Sequence, residues 1–415
     1  MKKVLATFII GIIACCGVIS LTACDNDGGD NASATADDSS ATVTATATAS
    51  ATASDTVTSR TENIEDFTYT QHWDGTYTIT GVKDQSVTEV VIPNTVTEID
   101  QRAFYHCSGL TSIVIPDSVL RIGQNAFASC SALTSVTLGR GITHVETSAF
   151  TFCDALAQVN YGGNVEDWCK IVFDNEYANP LMNTANINFN GESIENVVIP
   201  ASVEGISNFA FVRCNTFTSV TISNGVETIG EQAFAGCARV ENISIPESVN
   251  SIGASAFSNC VSLNSITVSS DNGEYCSVNG NLYSKDVKTL LQYAIGKADT
   301  AFVVPNDVTI IEQGALLNAT KLTSITLSDA LVKIGQGAFV NCIGLTSITI
   351  PGNVTEIGMM AFYPNTSLTS VVFENSTGWQ ARIYGGGYTA IDVSDSAQNA
   401  VNLTGDYILA ELKRT

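Results

Sequence analysis

The chain has 415 residues and a formal net charge of −23, with only 18 Lys plus Arg. Phosphate backbones and anionic bilayers are held by clustered Lys and Arg, so this balance argues against nucleic acid and against docking on an anionic membrane by charge alone. Hydrophobic residues make up 45% and charged residues only 14%, which permits a large core and requires a surface built from Ser, Thr, Asn and Gly.

Met1-Lys2-Lys3 followed by the apolar run Val4 to Ser20 reads as a secretory signal peptide over residues 1–23. The run ends on Leu21-Thr22-Ala23-Cys24, which resembles the bacterial lipobox. That resemblance implies cleavage before Cys24 and lipid attachment to it. No later stretch approaches the roughly 20 apolar residues of a membrane span. The expected topology is therefore an exported body, anchored to a bacterial membrane by lipid and exposed at the surface. Residues 24–62 hold the lipidated Cys and an Ala/Ser/Thr/Asp-rich segment. This segment lacks the apolar area to offset chain entropy and is predicted to be a disordered tether with an r.m.s. reach of roughly 35 Å. Residues 63–86 contain FTYTQHWDGTYTITG, in which alternating aromatic and polar residues flank Asp74-Gly75. That is a hairpin signal, placed to cap a repeat array.

From 87 to 375 the chain repeats. Phe104, Phe127 and Phe150, then Phe211, Phe234 and Phe257, then Phe339 and Phe362 recur at a step of 23 residues, with Leu316 filling one vacancy. Nine full repeats follow the form L-x-x-I-x-I-P-x-x-V-x-x-I-G-x-x-A-F-x-x-C-x-x. Self-similarity at such a period means a solenoid, here a β-rich, leucine-rich-repeat-like right-handed coil. Insertions at about 161–193 and 269–298 divide the repeats into threes. Residues 376–415 lack the period and are read as a C-terminal cap, with Ser394 or Asp395 as the N-cap of a short helix.

Within one repeat, strand alternation places Leu345, Ile348 and Ile350 inward and Ser347 and Thr349 outward. Pro351 ends the strand, Val354 and Ile357 return inward, and Gly358 is expected to permit a bend. Cys107, Cys130, Cys153, Cys214, Cys237, Cys260 and Cys342 share one slot, which Ala319 and Asn365 fill elsewhere. A catalytic cysteine is needed once, so the column reads as a packing wall. Parallel side chains are poorly oriented for ladder disulfides, and no CxxC pair marks a zinc site. His106 and His144 occupy positions that other repeats fill with unrelated polar residues. No catalytic or metal site, no cofactor and no enzymatic activity are expected.

The stretches LTSITIPGNVTEIGMMAF and LTSIVIPDSVLRIGQNAFASC resemble the BspA-like leucine-rich repeats of bacterial surface proteins. The two insertions are similar to segments that recur in such proteins. The resemblance implies cell-surface adhesion, with a host matrix or plasma protein, a glycan or another bacterial surface as partner. Two binding regions are candidates. One is the outward strand face, Ser135/Thr137, Ser219/Thr221, Ser265/Thr267, Ser324/Thr326 and Ser347/Thr349. The other is the aromatic residues of the insertions, Trp168, Tyr275 and Tyr283, since loops on rigid scaffolds often carry binding; the alternative is that these aromatics pack back onto the coil. The alternative is a structural spacer or envelope component with no ligand.

Overall fold

A computed structural model describes residues 60–415 apart from 185, 384, 385, 406 and 408. The signal peptide, Cys24 and nearly all of the tether lie outside the described residues. The sequence period reappears as strand register. Ile113 pairs with Val136, and Val136 with Val159, in the parallel strands Ser112–Ile115, Ser135–Leu138 and Gln158–Tyr161. β-Branched residues fit this half-buried pleat, and burial alternates as strand geometry requires: in Ser347–Ile350 both Ile are buried and Ser347 and Thr349 are exposed. After the Pro turn a second, shorter strand forms, and Ile99, Ile122 and Val145 align in its sheet. Each coil thus adds one long and one short strand, giving a β-solenoid of about 13 turns.

Three columns hold neighbouring coils together. The Phe rings stack nearly parallel, with centroids 5.1 Å apart for Phe104–Phe127 and Phe127–Phe150 and 5.2 Å for Phe339–Phe362. This is close to the interstrand spacing of about 4.8 Å, so backbone and ring ladders share one step. Thr hydroxyls form a second column: Thr134 Oγ1 donates to Thr111 O at 2.9 Å, and Thr111 Oγ1 to Thr88 O at 2.8 Å. The cysteines form the third. Cys130 Sγ donates to Phe104 O, Cys153 to Phe127 O, Cys237 to Phe211 O and Cys260 to Phe234 O, each at 3.2 Å. The wall is therefore also a row of weak donors that ties each coil to the carbonyl beneath it.

The glycine after the short strand has a different role from the bend expected of Gly358. A Cβ on Gly358 would lie 2.5 Å from Gln336 N, and one on Gly253 2.4 Å from Glu231 N. Neither glycine has a positive φ; room for the backbone of the coil below is what demands Gly. Where a coil opens a new block, that position carries Ser207 or Glu312 instead.

The insertions are woven into the solenoid. The first supplies Val172–Phe173 to the short-strand sheet, paired with His144–Val145, and Ile187–Phe189 to the long-strand sheet, paired with Gln158–Tyr161. The second forms the meander Tyr275–Val278, Asn281–Ser284 and Thr289–Gln292, whose last strand pairs with Ile310–Ile311. The apolar core divides there: Leu282 belongs to the cluster that begins at Phe67, and Tyr283 to the one that ends at Leu412.

Both ends are covered. The hairpin Phe67–Gln71 and Tyr77–Val82 sets the buried Phe67 edge-on against Phe104, with centroids 6.2 Å apart, closing the Phe column. At the other end Ala410–Arg414 pairs with Glu356–Ile357, and Trp379 packs edge-on against Phe373 at 5.0 Å. The helix Ser396–Thr404 is N-capped by Asp395, and its buried Asn399 donates to Val371 O at 3.0 Å, satisfying the last long strand.

Candidate ligand-binding surface

Two columns of side chains leave the long strands. The first runs Glu89, Ser112, Ser135, Gln158 in the first block, Asn196, Ser219, Asn242, Ser265 in the second, and includes Ser324, Ser347 and Ser370 in the third. The second runs Val114, Thr137, Asn160, then Val198, Thr221, Ser244, Thr267, then Val303 beside Thr326 and Thr349 beside Val372. Thr221, Thr267, Ser324, Thr326, Ser347 and Thr349 are exposed, and Ser135, Thr137, Ser219 and Ser265 are half-buried. Neighbouring coils bring the hydroxyls into contact: Ser244 Oγ lies 3.3 Å from Thr267 Oγ1, and Ser219 Oγ donates to Asn196 Oδ1 at 2.7 Å.

The face is not a uniform hydroxyl lattice. It is cut into separate sheets at the insertions and once more inside the third block, between Ser324–Thr326 and Ser347–Ile350. Its second column also carries exposed valines: Val114 at 39%, Val198 at 55%, Val303 at 65% and Val372 at 44%. These residues fall one period from Thr137, Thr221, Thr326 and Thr349, so the signal was present in the sequence. Beyond Glu89 in the first coil, the result is a flat, uncharged surface of mixed methyl and hydroxyl groups, suited to a partner that offers both.

Of the insertion aromatics, Trp168 and Tyr283 do not face solvent, which corrects the expectation that they contact a ligand. Trp168 is fully buried, donates from Nε1 to Ala210 O at 2.7 Å, and packs on Tyr161, Phe173 and Phe189. It joins the first block to the second. Tyr283 is buried at the division of the core. Tyr275 is half-buried, and its hydroxyl accepts a hydrogen bond from Ile252 N at 3.0 Å, standing in for the carbonyl of a further strand. Aromatics within inserts lose the repeat register, so their direction could not be read. The largest exposed apolar side chain is instead Trp73, 98% accessible at the hairpin tip.

The thiols are held in their neutral form. Burial pushes Cys107 and Cys214 up to about 11, and Cys153 and Cys342 up to about 12. A thiol is nucleophilic only as the thiolate, so His106 beside Cys107 does not make an activated pair. His144 instead lies 2.7 Å from Asp174 Oδ1, and His72 2.9 Å from Thr78 Oγ1. Among the described residues no group of three or more His, Cys, Asp or Glu is placed to hold a metal ion, and no helix is long and apolar enough to cross a membrane.

The BspA type leucine-rich repeat region matches this chain in 6 copies, over residues 82–179, 183–289 and 296–382. No curated protein matches. Among solved structures, the chain is similar to a leucine rich cell surface protein from Faecalibacterium prausnitzii, with 27% identity, 75% of this chain and 94% of that one covered, and a TM-score of 0.52. It is also similar to a leucine-rich repeat protein from Bacteroides ovatus, at 21% identity, 74% and 87% coverage and a TM-score of 0.40. The pneumococcal vaccine antigen PcpA is similar at 19% identity, 75% and 67% coverage and a TM-score of 0.34. The family's repeats run through most of the chain and set the register of both sheets: this protein belongs to the BspA-type leucine-rich repeat family.

Proposed function

We propose that this is a lipid-anchored bacterial cell-surface protein that binds a protein or glycan partner through its long-strand face, in the manner of an adhesin. The observation that carries the reading is the exposed face itself. Its side chains are mostly short and, apart from Glu89 in the first coil, uncharged; they are fixed by the ladder, and valines are interleaved with Thr and Ser along one column. Short, pre-ordered side chains lose little entropy on binding. The surface setting is supported by the lipobox ending at Cys24 and by the similar Faecalibacterium prausnitzii structure, which is named a cell surface protein. Ser/Thr and Val contacts suit a protein strand or a glycan and bring no cation to a phosphate.

The test is a binding screen of the full chain against matrix proteins, plasma proteins, mucin glycans and bacterial cells. A variant carrying Thr137→Lys, Thr221→Lys, Thr326→Lys and Thr349→Lys is run beside it. Saturable binding that the variant loses supports this reading. Binding that the variant keeps moves the site off the long-strand face, and no binding by the wild type favours a structural spacer.

A further inference from the structure

On the turn side of the solenoid, alternate backbone N–H groups of each coil donate to carbonyls of the next. Gln232, Phe234 and Gly236 donate to Ala254, Ala256 and Ser258, and Gly314, Leu316 and Asn318 donate to Gln336, Ala338 and Val340. Between these two runs, at the second insertion, the ladder is not made. Ser255 N and Phe257 N have no hydrogen-bond partner among the described residues. By the repeat, Phe257 N should reach Ala315 O, but Tyr293 N holds that carbonyl at 2.8 Å. The turns meet through side chains instead: Ser255 Oγ donates to Gln313 O at 3.4 Å, and Asn318 to Asn259.

A cavity of about 230 Å³ lies at this break, and both Ser255 and Phe257 line it. Its apolar wall is Phe257, Ala256, Leu282 and Leu291. Its polar wall includes Gln292, which is 2% exposed. The Gln292 amide is fixed in direction, because Nε2 donates to Tyr293 O at 2.9 Å and to Ala315 O at 3.2 Å. Its Oε1 has no partner among the described residues and is the acceptor left over. Buried polar groups are nearly always paired, so two backbone donors and one amide acceptor open to the same cavity mark a place for a ligand.

We propose that this cavity binds a small neutral carboxamide with an apolar body. The ligand's carbonyl oxygen accepts from Ser255 N and Phe257 N, its N–H donates to Gln292 Oε1, and its body packs on Leu282, Leu291 and the Phe257 ring. The donor pair alone would also suit a carboxylate, but Glu312 lines the same cavity and repels an anion. A cation has no claim on the two N–H groups. A cavity of roughly 150 Å³ takes one benzene ring, so this one takes about nine non-hydrogen atoms, the size of benzamide. The site is distinct from the long-strand face, and its test is independent of that reading.

The experiment is a ligand-observed NMR titration of benzamide, benzoate, benzylamine and acetophenone against the full chain in detergent, with empty micelles as the blank. Benzamide is expected to bind at least about tenfold tighter than the other three, because each of them leaves a buried polar group unpaired or meets Glu312. Saturating benzamide should slow hydrogen exchange at the Ser255 and Phe257 amides. Gln292→Leu is expected to weaken benzamide at least about tenfold. Leu291→Trp fills the cavity from its half-buried wall, leaves the Gln292 hydrogen bonds in place and should abolish binding, which decides the matter if Gln292→Leu fails to fold. Leu120→Trp, in the first block, should leave binding unchanged. No benzamide binding, equal affinity for all four probes, or full binding by a folded Leu291→Trp would overturn the proposal.

Discussion

Asn365 stands in the cysteine slot of the last repeat, 1% exposed, and neither Nδ2 nor Oδ1 has a hydrogen-bond partner. One repeat earlier, Cys342 Sγ donates to Leu316 O at 3.3 Å. A buried polar group left unpaired costs about 1–3 kcal/mol. Asn365→Cys removes that cost and restores a small hydrophobe with a donor, so it is expected to stabilise the chain by about 1–3 kcal/mol. The reciprocal Cys342→Asn is expected to destabilise by a similar amount. Cys342→Ser separates donor from volume: its hydroxyl can still reach Leu316 O, so it should cost less than Cys342→Asn. Urea unfolding followed by circular dichroism reads these differences as shifted midpoints at constant slope. If the described residues unfold as one unit, each kcal/mol moves the melting temperature by only about 1–2 °C, which makes urea the better probe. Unchanged or lowered stability in Asn365→Cys would refute the idea that this slot selects a small, weakly donating side chain.

The same thiols set an alkaline limit. Their folded pKa values lie above the ordinary value of 9.0, because burial disfavours the thiolate. The stability they contribute is therefore complete below about pH 9 and is lost as pH rises towards 11–12, since only the unfolded chain ionises; pH-dependent unfolding should steepen there and not between pH 6 and 8. At neutral pH a thiol reagent should modify Cys276, the one cysteine among the described residues that is not buried, and reach the others only in denaturant. Gly253→Ala should cost about 3 kcal/mol, because its Cβ would meet backbone atoms of Glu231 at 2.4 and 2.7 Å, while Ser207→Ala at the equivalent block-opening position should stay within about 0.5 kcal/mol; paired denaturant curves decide this. Trp168→Ala should lose about 3–5 kcal/mol, whereas Trp73→Ala, fully exposed at the hairpin tip, should leave the melting temperature unchanged.

What could be read from the sequence was whatever the 23-residue period carries. Ile348 and Ile350 face inward, the Phe column stacks, and the outward pairs such as Ser219/Thr221 emerge where alternation puts them. The hairpin at Asp74-Gly75 was legible because its turn residues are local. Direction was not legible once the period lapsed: in the sequence Trp168 and Tyr283 fit either a surface contact or packing back onto the coil, and they fill the joints between blocks, where a non-repeating segment must supply its own core. The role of Gly358 was misread because a close approach between residues 22 positions apart leaves no local trace. Sγ donation by the cysteines depends on how coils stack, which no single repeat shows.

The measurement that tests the central claim most directly is quantitative binding of the full chain to its best ligand from the screen, compared with the variant bearing lysine at Thr137, Thr221, Thr326 and Thr349. Adhesion through the long-strand face predicts saturable binding by the wild type and at least a tenfold loss in the variant, with folding intact. Equal affinity in both proteins would contradict it.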